Sequence, residues 1–291
     1  MSKYLSIFLI GLVLHLPRLA CADQAMASLV APGIISDDGA FGFTLSKDGR
    51  TALWTRSGGQ RERLQIMQSQ WNGKQWLAAV PSAISGDPRW KDIDPMFSPD
   101  GKLIIFQSNR PVPGKPERSG FDIWAATWDG KQAGQPYHLG NQINSDDSES
   151  SASMSQNGSI YFMKANGDNS SDIFVSRLRD GVYQTPENLG PQINTKERES
   201  NPYIAADESY LIYFTTGANV RGETDLVISF QEHGLWTKPR PLATIINSDD
   251  AEFCPFVHDG KLYFARQRKQ ADRMIENIYV VPFNPDDYRA R

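Results

Sequence analysis

The sequence predicts an all-β protein, a five-bladed β-propeller whose last blade is completed by a strand from the N-terminus. Three observations predict it. A tight-turn dipeptide recurs five times at intervals of roughly fifty residues. A second series of turns is interleaved with the first. A third repeated segment, built around an isoleucine, marks the passage from each unit to the next.

The first series is Asp48-Gly49, Asp100-Gly101, Asn157-Gly158, Asp207-Glu208 and Asp259-Gly260. Each is followed by a short β-rich run: TALWT, KLIIFQ, SIYFMK, YLIYFTT and KLYFAR. Asp and Asn tolerate, and Gly readily adopts, the positive φ of a tight turn, so such a dipeptide before a β-rich run predicts a hairpin. The second series is Asn72-Gly73, Asp129-Gly130, Asp180-Gly181 and His233-Gly234, each again between two strand-like runs. One repeat therefore reads as four antiparallel strands, which is a propeller blade. The third series is the connector: Ile35-Ser36, Ile84-Ser85, Ile143-Asn144, Ile193-Asn194 and Ile246-Asn247.

These marks place the blades at about 33–86, 87–145, 146–195, 196–248 and 249–291. The last repeat has three strand-like runs, FCPFV, KLYFAR and NIYVVPF, and no clear fourth. Residues 26–30 precede the first connector, where an outer strand belongs. Pairing them with the last repeat closes the ring and removes both free sheet edges.

Composition agrees. The 291 residues include 23 Gly, 18 Pro, 10 Tyr, 14 Phe and 7 Trp, a mixture suited to many short strands and turns. The net charge of −4 excludes a strongly basic nucleic-acid binder. Lys3, the apolar run Leu5–Leu16 and the small-x-small site Ala20-Cys21-Ala22 predict a signal peptide over 1–22, cleaved before Asp23. The expected location is the periplasm or the exterior. An uncleaved anchor and lipidation at Cys21 are the alternatives, the latter against a lipobox because Arg18 stands where Leu is usual. No later run reaches transmembrane length, and a monomer is expected. Cys254 is then the single cysteine of residues 23–291, so no internal disulfide is expected.

At SPDGKLIIFQSNR (Ser98–Arg110), followed by FDIWAATW (Phe121–Trp128), the chain resembles the TolB-like family of WD40-like PD40 propeller repeats. The resemblance extends over nearly all of residues 23–291. It implies the propeller fold and says little about function.

In a propeller the first strand of each blade lines the central channel. About eight residues before each turn of the first series lie Asp92, Glu149 and Glu199, with Glu252 one place closer and Ala40 in the first blade. Four carboxylates are therefore expected near the channel mouth. Two residues past the aromatic of each second strand come Arg56, Ser108, Lys164, Thr216 and Arg266, bringing three bases near the four acids. Asp92, Glu149, Glu199, Glu252, Arg56, Lys164 and Arg266 are the candidate ligand-binding ring. The competing expectation is that each acid binds a connector or pairs with the base beside it, as repetition in every blade would suit.

No cofactor or metal is expected. Asp37-Asp38, Asp146-Asp147 and Asp249-Asp250 offer hard oxygen ligands for calcium but lack DxDxDG spacing, so solvated turns are the expected role. The only His residues after the leader are His138, His233 and His258, and HExxH, GxSxG and Cys/His clusters are absent from the sequence. The leading expectation is a binding or scaffold propeller for an envelope protein, a glycan or a small polar ligand. The alternative is a glycan hydrolase or lyase using mouth carboxylates, with Glu199 and Glu252 as an acid/base pair. The Pro/Gly-rich loop Asn109–Gly120 is the candidate partner contact.

Overall fold

The computed structural model describes residues 26–58, 61–112, 114, 120–166, 170–217 and 220–289. The expected leader and half of the 109–120 loop (113 and 115–119) lie outside these residues. Five antiparallel sheets follow one another along the chain as the blades of a propeller. The inner strands are Ala40–Leu45, Asp92–Phe97, Glu149–Met154, Glu199–Ile204 and Ala251–His258. The second strands are Thr51–Arg56, Leu103–Ser108, Ile160–Ala165, Tyr210–Thr215 and Lys261–Gln270.

The ring closes as the sequence predicts. Ser28 and Leu29 pair with Val280 and Tyr279 in the fifth sheet, and Val30 N–H donates to the Ile278 carbonyl at 2.9 Å. The first and last described segments thus share one sheet, with residues 28–29 as its outer strand.

What holds blade to blade is the connector isoleucine. Ile35, Ile84, Ile143, Ile193 and Ile246 are all at most 2% exposed, and each sits in a different one of the five hydrophobic clusters between neighbouring sheets. Full burial of such a side chain stabilises by roughly 1.5–3 kcal/mol. The next residue fixes the isoleucine in place by bonding the third strand of the blade just completed. Asn144 bridges the N–H and carbonyl of Ile123 at 2.7 and 3.0 Å, Asn194 does the same at Ile173, and Asn247 at Leu226. Ser85 accepts from Ile66 N–H at 3.1 Å, and Ser36 donates to the Ile278 carbonyl at 3.0 Å. A short polar side chain after isoleucine is therefore a clasp, and it explains why the dipeptide recurs.

The aromatic of each second strand fills the same clusters: Trp54, Phe106, Phe162, Tyr213 and Phe264 are all buried. The fourth corrects the sequence reading by one residue. Glu199 pairs with Thr215, so the interblade aromatic is Tyr213, and the base-position equivalent is Thr215 rather than Thr216. The turn before it, Asp207-Glu208, places Glu208 rather than glycine at φ 61°, which hides the register in the sequence.

Candidate functional site

The strand-start acids are where the sequence places them, and all four are buried. Their oxygens are taken up by the connector and its neighbours. Glu199 accepts from Thr195 N–H at 2.9 Å, Thr195 Oγ1 at 2.8 Å and Thr215 Oγ1 at 3.1 Å. Glu252 accepts from Ser248 N–H, Ser248 Oγ and, at 2.7 Å, Arg266 Nε. Glu149 accepts from both Ser145 N–H and Ser145 Oγ, with Lys164 Nζ 4.0 Å away and closer, at 3.1 Å, to Asp147. Asp92 accepts from Ser85 Oγ at 2.9 Å and from Arg110 Nη2 at 2.7 Å. In the first blade, with Ala40 at the strand start, the carboxylate comes from the connector instead, and Asp37 meets Arg56 at 2.6 Å.

Arg110 was not visible from spacing. It lies two residues beyond its second strand, yet it reaches the position Arg266 holds in the fifth blade. Each guanidinium bonds a strand-start acid and a connector isoleucine carbonyl, Ile84 or Ile246, while lying over two aromatic rings. Burial raises the carboxyls of Glu149 and Glu252, against the opposing pull of the serine donors and the nearby base.

Two residues further along each inner strand, the backbone does something the sequence reading did not foresee. Gly42, Asp94, Ser151, Asn201 and Cys254 all have left-handed φ, between 46° and 59°. At each of them the pairing with the second strand slips, which is a β-bulge. Three are followed by proline: Pro95, Pro202 and Pro255. Proline cannot donate to a ladder, so its presence inside three inner strands was the available clue to the bulge.

The five bulges meet at the propeller axis. Ser151 Oγ donates to Asp94 Oδ2 at 3.1 Å, Asn201 Nδ2 donates to Ser151 Oγ at 2.6 Å, and Cys254 Sγ donates to Asp94 Oδ1 at 3.5 Å. Gly42 has room for no side chain, since a Cβ there would stand 2.6 Å from Asp94 Oδ1 and 3.0 Å from Asp94 Cα. Burial raises the Asp94 carboxyl above its ordinary value, and burial together with Asp94 raises the Cys254 thiol well above its own.

This waist encloses only about 20 Å³ and divides two wider spaces. On the side of the turns after the inner strands lies a chamber of about 180 Å³, walled by Lys47, Met96, Met154, Tyr203, Phe256 and His258 among others. On the connector side lies a cavity of about 320 Å³. Its floor is Asp94, Ser151, Asn201 and Cys254. Its wall carries Phe41, Phe121, Phe214 and Phe253 with Ile93 and Met163, and polar groups from Ser150, Ser200, Thr224 and Gln267. Arg61, Arg198 and Glu223 also face it.

Arg61 bonds the buried carboxylate of Glu276 through Nε at 2.9 Å and Nη2 at 2.6 Å, and Gln267 donates to the same oxygen. Its guanidinium lies over Phe41 and Phe253, 4.7 and 5.6 Å from the ring centres. Arg198 lies 5.7 Å from the centre of Phe214 and, among the described residues, has no carboxylate within ion-pair distance.

The seven residues singled out from sequence therefore fall into a lock around the cavity. Glu252 and Arg266 are brought together, Glu149 and Lys164 approach each other, Arg56 turns to Asp37, and Asp92 and Glu199 take other partners. None of the seven is in the cavity wall. The wall begins one residue later, at Phe41, Ile93, Ser150, Ser200 and Phe253. The one-residue shift in the fourth blade matters here, because it turns Phe214 toward the cavity beside Met163 of the third.

No family model matches the chain, and no curated protein matches it. Solved structures do resemble it. A thermostable family-43 glycoside hydrolase matches over 85% of this chain and 91% of its own, with 13% identity and a TM-score of 0.57. An endo-arabinase from Bacteroides thetaiotaomicron matches over 90% and 98%, with 13% identity and a TM-score of 0.54. A prolyl endopeptidase structure matches over 84% of this chain, but the chain spans only 32% of that protein, at 12% identity and a TM-score of 0.42. At these identities the likeness is one of fold.

Proposed function

We propose that the chain is an exported, non-catalytic binding propeller that holds a small polar ligand in the connector-side cavity. One observation carries this reading: a cavity of about 320 Å³ combines aromatic faces with hydroxyl, amide and guanidinium groups. Such a lining suits a ligand with apolar faces and several hydrogen-bonding groups. Asp92, Glu149, Glu199, Glu252, Arg56, Lys164 and Arg266 serve the ligand indirectly, by fixing the connectors that hold the wall residues. The periplasm or exterior is the proposed location, on the strength of the leader-like segment at 1–22.

The test is a thermal-shift panel of neutral and acidic oligosaccharides, short peptides and divalent cations, run on the wild type and on Met163→Trp, which fills the cavity. A ligand at 100 times its Kd stabilises by about 2.7 kcal/mol, a readable rise in midpoint. The rise is expected in the wild type and absent in Met163→Trp. A panel that shifts neither protein, or both equally, removes the cavity from consideration.

Hydrolysis is the second reading, and Asp94 is the observation that favours it. A carboxyl at the floor of a cavity, with its proton affinity raised by burial, is suited to proton donation. A glycosidase needs a second carboxylate, and Glu223 is the one the wall offers. Release of reducing ends from a glycan, lost in Asp94→Asn, would replace the binding reading with this one.

A further inference from the structure

The fifth blade departs from the others above the cavity. Its second and third strands, Lys261–Gln270 and Arg273–Pro282, have 10 residues each, while the second strands of the other four blades have 6. Pairing continues through Arg268 with Ile275, Lys269 with Met274, and Gln270 with Arg273, so the hairpin extends well past the strand-start acid Glu252, which pairs with Arg266. The extension stands on the connector side, where the cavity opens.

Its base belongs to the cavity. Gln267 is in the wall and bonds Glu276, which holds Arg61. Its tip carries Arg268, Lys269 and Arg273 against a single acid, Asp272, and all four are exposed. Among the described residues the three bases have no carboxylate within ion-pair distance. Side chains alternate across a strand, so Lys269 shares a face with Gln267 and Glu276, while Arg268 and Arg273 share the other. The hairpin thus presents bases on both faces directly outside the cavity.

This placement runs against the charge of the whole chain, which is −4. A protein of that charge repels anionic molecules at long range. Three bases against one acid at one entrance reverse the local field, and at physiological salt they act over roughly 8 Å. Arg198 places a further unneutralised guanidinium in the wall itself, on the side of the third and fourth blades. Guanidinium groups bind carboxylates through paired hydrogen bonds. The aromatic rings and the hydroxyl and amide groups between them suit the C–H faces and hydroxyls of a sugar ring.

We infer that the ligand is an acidic saccharide chain, with one carboxylate-bearing residue seated in the cavity near Arg198 and the rest of the chain running out along the Arg268–Lys269–Arg273 hairpin. The inference rests on the proposed cavity reading.

The probes are tetragalacturonate, its neutral methyl ester and a tetraglutamate peptide, titrated calorimetrically into wild type, into Met163→Trp, and into a combined Arg268→Ala, Lys269→Ala, Arg273→Ala variant. The three substituted side chains are exposed, so the variant should keep its melting midpoint. Tetragalacturonate is expected to bind the wild type at least tenfold more tightly than its ester, roughly the margin that charge-assisted contacts provide. The hairpin variant should erase that margin, and added salt should shrink it. Equal binding of acid and ester, with Met163→Trp binding neither, overturns the acidic assignment and leaves the cavity reading standing. Acid binding that survives Met163→Trp does the reverse for the cavity. Tighter binding of tetraglutamate overturns the saccharide, and binding of no probe overturns the inference.

Discussion

The first and third positions of the inner-strand repeat, two residues apart, are built on opposite terms. At the first, the side-chain chemistry repeats: Asp92, Glu149, Glu199 and Glu252 each close a connector, and Asp37 with Arg56 closes the one whose blade starts in Ala40. At the third, the backbone repeats and the side chains do not: five left-handed bulges carry Gly, Asp, Ser, Asn and Cys. A side chain repeated around a ring answers a demand that every blade makes, which is to hold its neighbour. A repeated backbone with five different side chains is where the blades have stopped being equivalent, and a ligand site needs that asymmetry. The floor of the cavity lies on the second kind of position.

The sharpest way to break this comparison is at Glu252. Glu252→Ala leaves the Arg266 guanidinium largely buried with only the Ile246 carbonyl and removes the acceptor for both Ser248 donors. Removing one partner of a buried ion pair costs about 3–5 kcal/mol. Urea unfolding should show a loss of that size, and Glu252→Gln, which keeps an acceptor, should lose less. If Glu252→Ala unfolds at the wild-type urea concentration yet loses ligand, the strand-start acids belong to the site and the two kinds of position have been assigned the wrong way round.

A smaller effect is expected at Gly42. Its φ of 59° already disfavours any side chain, and the new methyl of Gly42→Ala would meet the carboxyl and Cα of Asp94. Strain of this kind costs of order 1–3 kcal/mol. The same unfolding measurement should find that loss, accompanied by weaker binding, because the group displaced is the cavity floor. Ser151→Ala adds no atom at the equivalent place and should cost about 1 kcal/mol, the worth of its hydrogen bonds. Equal losses at the two positions would mean that the ring is not packed against Asp94.

How much of this was legible follows from which features are local. Tight turns need residues that accept positive φ, and connectors need an isoleucine and a short polar clasp, so both repeat in the sequence and the five blades could be read. The strand-start acids were legible for the same reason. The cavity was not, because each blade contributes to it residues that share a position and not a chemistry. Asp94, Ser151, Asn201 and Cys254 resemble one another only in backbone angle. Pro95, Pro202 and Pro255 marked the bulge, but a proline in a β-rich run is equally an edge or a turn until the ladder is seen. Arg110 escaped because it reaches its acid from outside the strand, and Phe214 because a glutamate in a turn hid the register by one residue.

The smallest expected effect tests whether the waist is as closed as its hydrogen bonds imply. Asp94 titrates near 3.8 when unfolded and higher in the fold, where burial opposes its charge. Between those two values the folded protein holds a proton that the unfolded chain has released. Asp94 therefore favours the fold fully below 3.8, and that contribution disappears as the pH rises through the folded-state value. Asn has no proton to lose, so Asp94→Asn should flatten the decline in stability from about pH 4 to pH 7 relative to wild type and be at least as stable at neutral pH. Glu149 and Glu252 are raised in the same direction, but they are common to both proteins and cancel in the difference. Unfolding free energies measured across that range decide it. Parallel curves would mean that water reaches Asp94 freely, in which case the bulge ring is an open passage between the two chambers and the cavity has no floor.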